Sequence, residues 1–329
     1  METVAYVIVT WNNADIIAGC LDAIVAQTGV DPEIFVLDNA SSDATVEVVR
    51  QYPGVHLTES DKNLGFARGN NVLIERVLAE STAPWVALIN SDAVIVPEWT
   101  SRLVEFAQGR DHVAALQGLT LDFYDHDVVD SQHIFVSRRL QGNQYGCREQ
   151  VDLLSYYPRK VFGVNAAAAL YSRAFIEQQP DPDSSFFDER FYMYYEDVDV
   201  ACRALVAGWD AFFVPGAIAY HMGSVSSKKR ANIYPVVMTA RNQAAVAYKN
   251  LSWRIILRSL PFVFAGVKDF VRQAKHDFGP AGARRVMRAY IAGVFRLPLY
   301  ARSRRAIRSA TLVDQGYLYA IMQNDGIRG

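Results

Sequence analysis

The sequence predicts an α/β fold in which a mostly parallel sheet carries helices on both faces. Three observations predict it. Short apolar runs of strand length alternate with stretches of helical spacing through the first hundred residues. The connections between them are only a few residues long. Polar clusters fall where strands end, at 10–13, 38–43 and 90–92, the sheet edge at which such folds bind ligands.

Residues 4–9 form the first β-rich run. Ile16, Ile17, Cys20, Leu21, Ile24 and Val25 then recur at helical spacing. Residues 34–37 are the second strand, and the turn at 38–43 is rich in residues that cap helices, here one through 46–49. A strand near 55–57 follows, then a helix opened by 63–71 and continuing through Leu78. Residues 85–89 are the fourth strand, and Pro97 suits the first position of the next helix. From about 120 to 160 the pattern weakens, and Asp122, Asp125, His126, Asp127 and Asp130 read as a solvated loop rather than a metal cluster. A second patterned block covers 161–174. The stretch 186–209 ends in a helix stopped by Gly208, and a strand at 211–214 leads into Tyr220 and His221.

At 329 residues the chain has room for one large domain or two smaller ones, and its half-apolar composition is that of a globular protein. Cys20, Cys147 and Cys202 are few and widely spaced, which argues for a reducing compartment and against a cysteine-based zinc site; Cys20 and Cys202 read as core. We expect no leader peptide and no spanning helix, since no run of 18 uncharged apolar residues occurs. The net charge of −2 hides a division: residues 1–227 hold 31 acids against 14 bases, and residues 228–310 hold 18 bases against 2 acids. The basic stretch is also apolar at helical spacing, with Pro261 expected to kink or end its first helix and Gly279-Pro280 expected to separate it from the next. Such a stretch either lies on an anionic membrane or packs on the body or on another subunit. Nucleic acid is disfavoured by the acidic body.

No Gly-rich dinucleotide loop follows the first strand, and no phosphate loop ending in Gly-Lys-Ser/Thr occurs. What remains is a sheet edge with Asp38 and Asp92 at strand ends and an isolated His221. The segments VIVTWNN (7–13), VLDNASSDAT (36–45), NLGFARGNN (63–71), ALINSDAVI (87–95), FDERFYMYYEDVDVACRA (187–204) and AYHMGS (219–224) carry a resemblance. In order and spacing they resemble the family 2 glycosyltransferases of the GT-A fold, in particular the bacterial rhamnosyltransferase-like branch.

The resemblance implies a GT-A domain over 1–227, of which about 120–227 is the acceptor-side half, followed by a basic helical region over 228–329. It implies an inverting, metal-dependent transferase that moves L-rhamnose from dTDP-rhamnose to a hydroxyl of a polyprenyl-diphosphate-linked glycan, peripheral at the cytoplasmic face of the cell membrane. The alternatives are a UDP-sugar-dependent galactofuranosyl- or hexosyltransferase, or a catalytically silent membrane-docked protein. A homo-oligomer stays open. A processive synthase is disfavoured, because the Gln-x-x-Arg-Trp motif is absent.

The donor-binding role carries over to Thr10, Asn12, Asp38, Asn63, Gly65, Arg68, Asn90 and Ser91. Asp38 suits the base or ribose of a nucleotide, or else caps the following helix. Arg68 opens a helix whose N–H groups favour phosphate, or else is a surface arginine. Where the family commonly has Asp-x-Asp, this chain has Asn90-Ser91-Asp92. Asp92 and His221 are then the metal ligands; Mg²⁺ needs only one or two carboxylates beside substrate phosphates and water, and the imidazole tilts the choice toward Mn²⁺. The second acid of Glu196-Asp197 is the general base. The run at 163–169 departs from the branch at Asn165-Ala166, which alters the pocket there.

Overall fold

The computed structural model describes residues 1–223 and 232–322. Ser224 of the last motif and the 227/228 boundary lie outside the described residues. In chain order the first half comprises β1 (Glu2–Thr10), α1 (Ile17–Val25), β2 (Val30–Asp38), α2 (Thr45–Val49), β3 (Val55–Glu59), α3 (Gly65–Glu80), β4 (Trp85–Ile89), β5 (Ala93–Ile95) and α4 (Trp99–Ala107). Then come β6 (Val113–Asp122), β7 (Val129–Ser131), β8 (His133–Val136), β9 (Gly142–Tyr145), β10 (Arg159–Val161), β11 (Ala168–Ser172), α5 (Arg173–Gln178), α6 (Glu196–Val206) and β12 (Asp210–His221). The helical segment is α7 (Tyr234–Asn250), α8 (Trp253–Phe295), α9 (Ala301–Ser309) and α10 (Gln315–Ile321).

The main sheet runs β10-β12-β6-β11-β4-β1-β2-β3. β4, β1, β2 and β3 are parallel neighbours, whereas β11 enters antiparallel between β4 and β6. Side chains alternate along β1 with the period of two that a pleated strand dictates. Val4, Tyr6 and Ile8 face a core closed by α1 and α4, while Ala5 and Val7 face one closed by α3. Each face of the sheet is therefore covered by amphipathic helices, as the alternating pattern predicts. Cys20 is buried in the first of these cores, and Cys202 is buried in a separate cluster between α6 and the helical segment.

Four local expectations are corrected. α3 begins at Gly65, not at Asn63, because the Asn63 carboxamide accepts from Gly65 N–H and closes a turn first. Pro97 lies in a turn ahead of α4, which starts at Trp99. β12 runs on to His221 across a register shift between Phe213 and Ile218 instead of stopping near 214. Pro261 does not end its helix; it sits on the exposed side, where water can take the carbonyl that loses its donor. The break falls at Gly279, whose φ of 71° is open to glycine.

The helical segment is cored onto the body. Val246, Leu251, Ile255, Tyr300, Ile307 and Leu318 share one apolar cluster with Val198, Cys202 and Leu205 of α6. A buried ionic network reinforces it. Lys249 Nζ on α7 lies 2.9 Å from Asp181, 2.6 Å from Asp188 and 2.9 Å from Asp199, and all four side chains are almost fully buried. Arg203 pairs with Asp199 at 3.0 Å and Arg190 with Asp188 at 2.7 Å. The three carboxylates are close enough together to suit a metal ion, but the ammonium already occupies the space between them. No described helix is long and apolar enough to cross a membrane.

Candidate active site

β4 leaves the sheet at Ile89, and the Asn90-Ser91-Asp92 turn follows at once. Ala93 N–H donates to Asn90 O at 2.9 Å and Asn90 N–H to Ala167 O at 2.8 Å, which folds the chain back into β5. β5 pairs antiparallel with the end of β12, so His221 lies opposite Ala93, and Met222 N–H donates to Asp92 O at 3.0 Å. Two strand ends thus set Asp92 and His221 side by side. His221 Nε2 is 3.3 Å from Asp92 Oδ1 and 3.3 Å from Asn90 Nδ2. On the far side of the ring, Nδ1 is 3.1 Å from Asp130 Oδ2 on β7. Burial disfavours the imidazolium, but the hydrogen bonds and charges of Asp130 and Asp92 outweigh it and carry the ring's pKa up to about 10.

This donor set fits a divalent cation. Two ligand atoms at right angles around an ion with bonds of about 2.1 Å stand about 3 Å apart, close to the 3.3 Å between Oδ1 and Nε2. A carboxylate on Nδ1–H fixes the tautomer that offers Nε2, as metal-binding histidines require. Asp130 is a candidate site residue that sequence reasoning missed: it belongs to the acidic stretch read as a solvated loop, yet β7 pairs with β6 and brings it to His221.

Asn90, Asp92, His221, Glu196 and Asp197 line one cleft of about 760 Å³, together with Asp130, Asn165, Tyr194 and Thr239. Asp197 opens α6 and is partly accessible from the cleft. Burial lifts its pKa to about 6, against hydrogen bonds from backbone N–H groups that favour the carboxylate. Burial and the adjacent Asp197 charge push Glu196 well above the usual carboxylate range. Burial disfavours the carboxylate form of both neighbouring acids; Asp197, at about 6, is the one available as a carboxylate at neutral pH.

The turn ahead of α6 is strained. Tyr192, Tyr194 and Tyr195 have φ of 67°, 67° and 78°, a region that side chains of this bulk rarely enter. Asn242 on α7 holds them there. Its Nδ2 donates to the carbonyls of Phe191 (3.1 Å), Met193 (3.2 Å) and Tyr194 (2.7 Å), and Arg241 donates to Phe191 O at 2.7 Å. No motif in the sequence marks Asn242, because its partners are backbone atoms about fifty residues away.

The other candidate donor residues do not line this cleft; they lie around the carboxyl ends of β1 and β2. Thr10 and Asp38 are register neighbours. Asp38 Oδ2 accepts from Ser41 N–H at 2.9 Å, whereas Asp38 Oδ1 and Thr10 Oγ1 are buried without a partner, an arrangement that a ligand's donors would complete. Asn12 is latched to the 41–42 turn through its N–H and its carboxamide oxygen. Asn63 Oδ1 accepts from Asn39 and Gly65, and Ser91 Oγ accepts from Asn13 at 2.6 Å.

The start of α3, where the sequence leads us to expect phosphate contacts, has partners within the chain. Tyr192 O takes the N–H groups of Phe66 and Ala67, and Arg68 pairs with Glu189 at 2.8 Å and Glu75 at 3.7 Å. Gly65 answers a packing need, since a Cβ there would lie 2.6 Å from the Tyr192 ring.

The family model described as "Glycosyl transferase family 2" matches residues 6–177. The chain is 27% identical over 233 residues to the succinoglycan biosynthesis protein ExoO of Rhizobium meliloti (strain 1021), covering 68% of this chain and 62% of that protein. It is 27% identical over 207 residues to an N-acetylglucosaminyl-diphospho-decaprenol L-rhamnosyltransferase of Mycobacterium tuberculosis, covering 57% of this chain and 66% of that protein. The chain thus matches a little under two thirds of each relative's length. Among solved structures, Staphylococcus aureus TarS 1–349 superposes with a TM-score of 0.56 at 14% identity, over 98% of this chain and 90% of the other. The mannosyltransferase PcManGT from Pyrobaculum calidifontis, in complex with GDP-Man and Mn²⁺, superposes with a TM-score of 0.53 at 16% identity, over 93% and 85%. At such identities the likeness is one of fold, the GT-A fold that the sequence motifs predict.

Proposed function

The chain belongs to glycosyl transferase family 2, and from that premise we propose that it is an inverting, metal-dependent glycosyltransferase of cell-surface polysaccharide synthesis. The observation that carries this reading is the single cleft lined by Asp92, His221 and Asp197. The donor is a nucleotide-diphosphate sugar, dTDP-rhamnose, with a UDP-sugar as the alternative. The acceptor is a hydroxyl of a glycan on a polyprenyl-diphosphate lipid, met at the cytoplasmic membrane face. The rhamnosyltransferase named among the relatives supports that choice of donor and acceptor. A screen of purified protein for binding of dTDP-rhamnose and several UDP-sugars, with and without Mn²⁺, tests it; binding of none would reject the reading.

Asp92 and His221 would hold the cation, and Asp130 would orient the imidazole. When bound, Mg²⁺ or Mn²⁺ supplies Lewis-acid stabilisation of a leaving diphosphate. Asp197 accepts the proton of the acceptor hydroxyl, whose oxygen displaces the diphosphate in one step and inverts the anomeric carbon. Glu196, the other acid of the pair, is buried in the same cleft wall, where burial and the Asp197 charge disfavour its carboxylate. The buried free atoms Asp38 Oδ1 and Thr10 Oγ1 suit the hydroxyl or N–H groups of a nucleoside.

Two outcomes follow for the site. In a calorimetric titration with Mn²⁺, His221→Ala abolishes measurable binding and Asp130→Asn weakens it about 10–100-fold; unchanged isotherms would return both to structural roles. The pH profile has a worked sign. Asp197 acts as the carboxylate, so kcat/KM is level above pH 6 and falls about tenfold per unit below it. A profile flat down to pH 4 would remove Asp197 as the base.

A further inference from the structure

α8 folds back on itself at Gly279. Phe270 on its first arm meets Tyr290 on its second, with ring centroids 6.0 Å apart, and Ala274, Val286 and Ala289 join Ala240 of α7 in one cluster. The second arm therefore has a buried inner face and an outer face on which none of the described residues packs. That outer face is apolar. Met287, Ile291, Val294 and Phe295 recur at helical spacing and Leu299 continues the row, with exposures of 40%, 50%, 56%, 80% and 57%. Five large apolar side chains standing in water on one helical stripe are more than isolated surface residues.

The surroundings identify what covers them. Residues 278–313 hold eight arginines, no lysine and no acid. Arg284, Arg285 and Arg288 flank the stripe and have no ion-pair partner among the described residues. A stripe of aliphatic and aromatic side chains rimmed by guanidinium groups is complementary to a lipid surface bearing phosphates. Nucleic acid would meet the guanidinium groups but leave Phe295 and Ile291 against phosphate. A second copy offering the same face would bring the two arginine sets together.

We propose that the outer face of 287–299 is the surface by which this protein docks on anionic membrane. The apolar row enters the headgroup–acyl boundary, and Arg284, Arg285 and Arg288 engage lipid phosphates. The face also bears on the cleft. Arg190 donates to Leu299 O at 2.6 Å and Arg296 to Arg190 O at 3.3 Å, one residue from the strained tyrosine turn. Gly293 on the inner side is so close to α7 that a Cβ would lie 2.3 Å from Arg241 O. Docking thus fixes the acceptor side of the cleft relative to the membrane. This orientation rests on the reading of the site as a transferase for lipid-borne acceptors; the docking itself does not.

The test is co-sedimentation of the full chain with vesicles of equimolar phosphatidylglycerol and phosphatidylcholine, and with phosphatidylcholine vesicles alone. The native protein partitions at least about tenfold better onto the anionic vesicles, and the preference shrinks as salt rises. The double substitution Ile291→Glu with Phe295→Glu lowers partitioning by about tenfold or more, and Leu153→Glu, an equally exposed apolar site on the body, does not. Circular dichroism and the thermal midpoint report that the variants are folded; both changed side chains are exposed, so no core is disturbed. Transfer of sugar to a water-soluble acceptor is unaffected by the double variant, so loss of docking and failure of the transferase reading are separate results. Native protein that ignores anionic vesicles, or a folded double variant that still binds them, overturns the proposal. So does light scattering in which the double variant turns a lipid-free oligomer into monomers, since the face is then a contact between chains.

Discussion

Replacing Asp197 with asparagine lowers kcat by about 10²–10⁴-fold and leaves donor binding within about twofold. Asparagine keeps the size and hydrogen-bonding shape of the side chain but cannot take a proton. The loss therefore falls on the chemical step, and the acid limb of the pH profile disappears with it. Glu196→Gln has a smaller effect, because burial and the Asp197 charge both disfavour the Glu196 carboxylate as a proton acceptor. Single-turnover kinetics with donor and acceptor, beside a donor titration, separate the two quantities. If the asparagine variant turns over at the native rate, the base lies elsewhere in the cleft; if Glu196→Gln is the inactive one, the roles within the pair are exchanged.

The largest effect on stability is expected at Lys249. Lys249→Met removes the ammonium from among Asp181, Asp188 and Asp199 and leaves buried carboxylates undercompensated, at a cost of about 3–5 kcal/mol. The burden is electrostatic. The charges of Lys249 and Arg203 hold the Asp181 carboxyl far below its usual range despite its burial, so losing the lysine favours proton uptake there. Adding Asp181→Asn to Lys249→Met therefore recovers part of the loss, because one of the stranded charges goes with it. Urea unfolding followed by circular dichroism measures both variants. A Lys249→Met protein within about 1 kcal/mol of the native one would mean that the apolar cluster alone holds α7 to α6.

The donor half was legible because its pattern is local. The β-rich run at 4–9, helical spacing through Leu21 and polar residues at strand ends are signals carried by neighbours in sequence, and the strands appear where they point. β6 was not legible. All of Val113–Leu121 is buried, but Gln117, Gly118 and Thr120 interrupt its apolar run, so it has neither the alternation nor the continuous apolar run that marks a strand. The antiparallel entry of β11 was hidden for a different reason, since pairing direction is decided by the connections and not by the strand's own residues. At the site, Asp92, Asp197 and His221 announced themselves through motifs, and they line one cleft. Asp130 did not, because an acid in an acidic loop looks solvated until the fold supplies a histidine on a strand nearly a hundred residues later. Nor could the sequence show the partners of Arg68 and Gly65, since Glu189 and Tyr192 come from far along the chain.

The tyrosine turn has a consequence for anyone recombining such enzymes. The family-matched segment stops at 177, ahead of Asp197, of the three left-handed tyrosines, and of the Asn242 carboxamide that keeps them so. A chimera joined at that natural-looking seam would inherit a nucleotide-side scaffold and a foreign acid on a relaxed backbone. The transplantable cassette is instead the span from Asp181 through Asn250, cut where the ionic clamp and the carboxamide travel together.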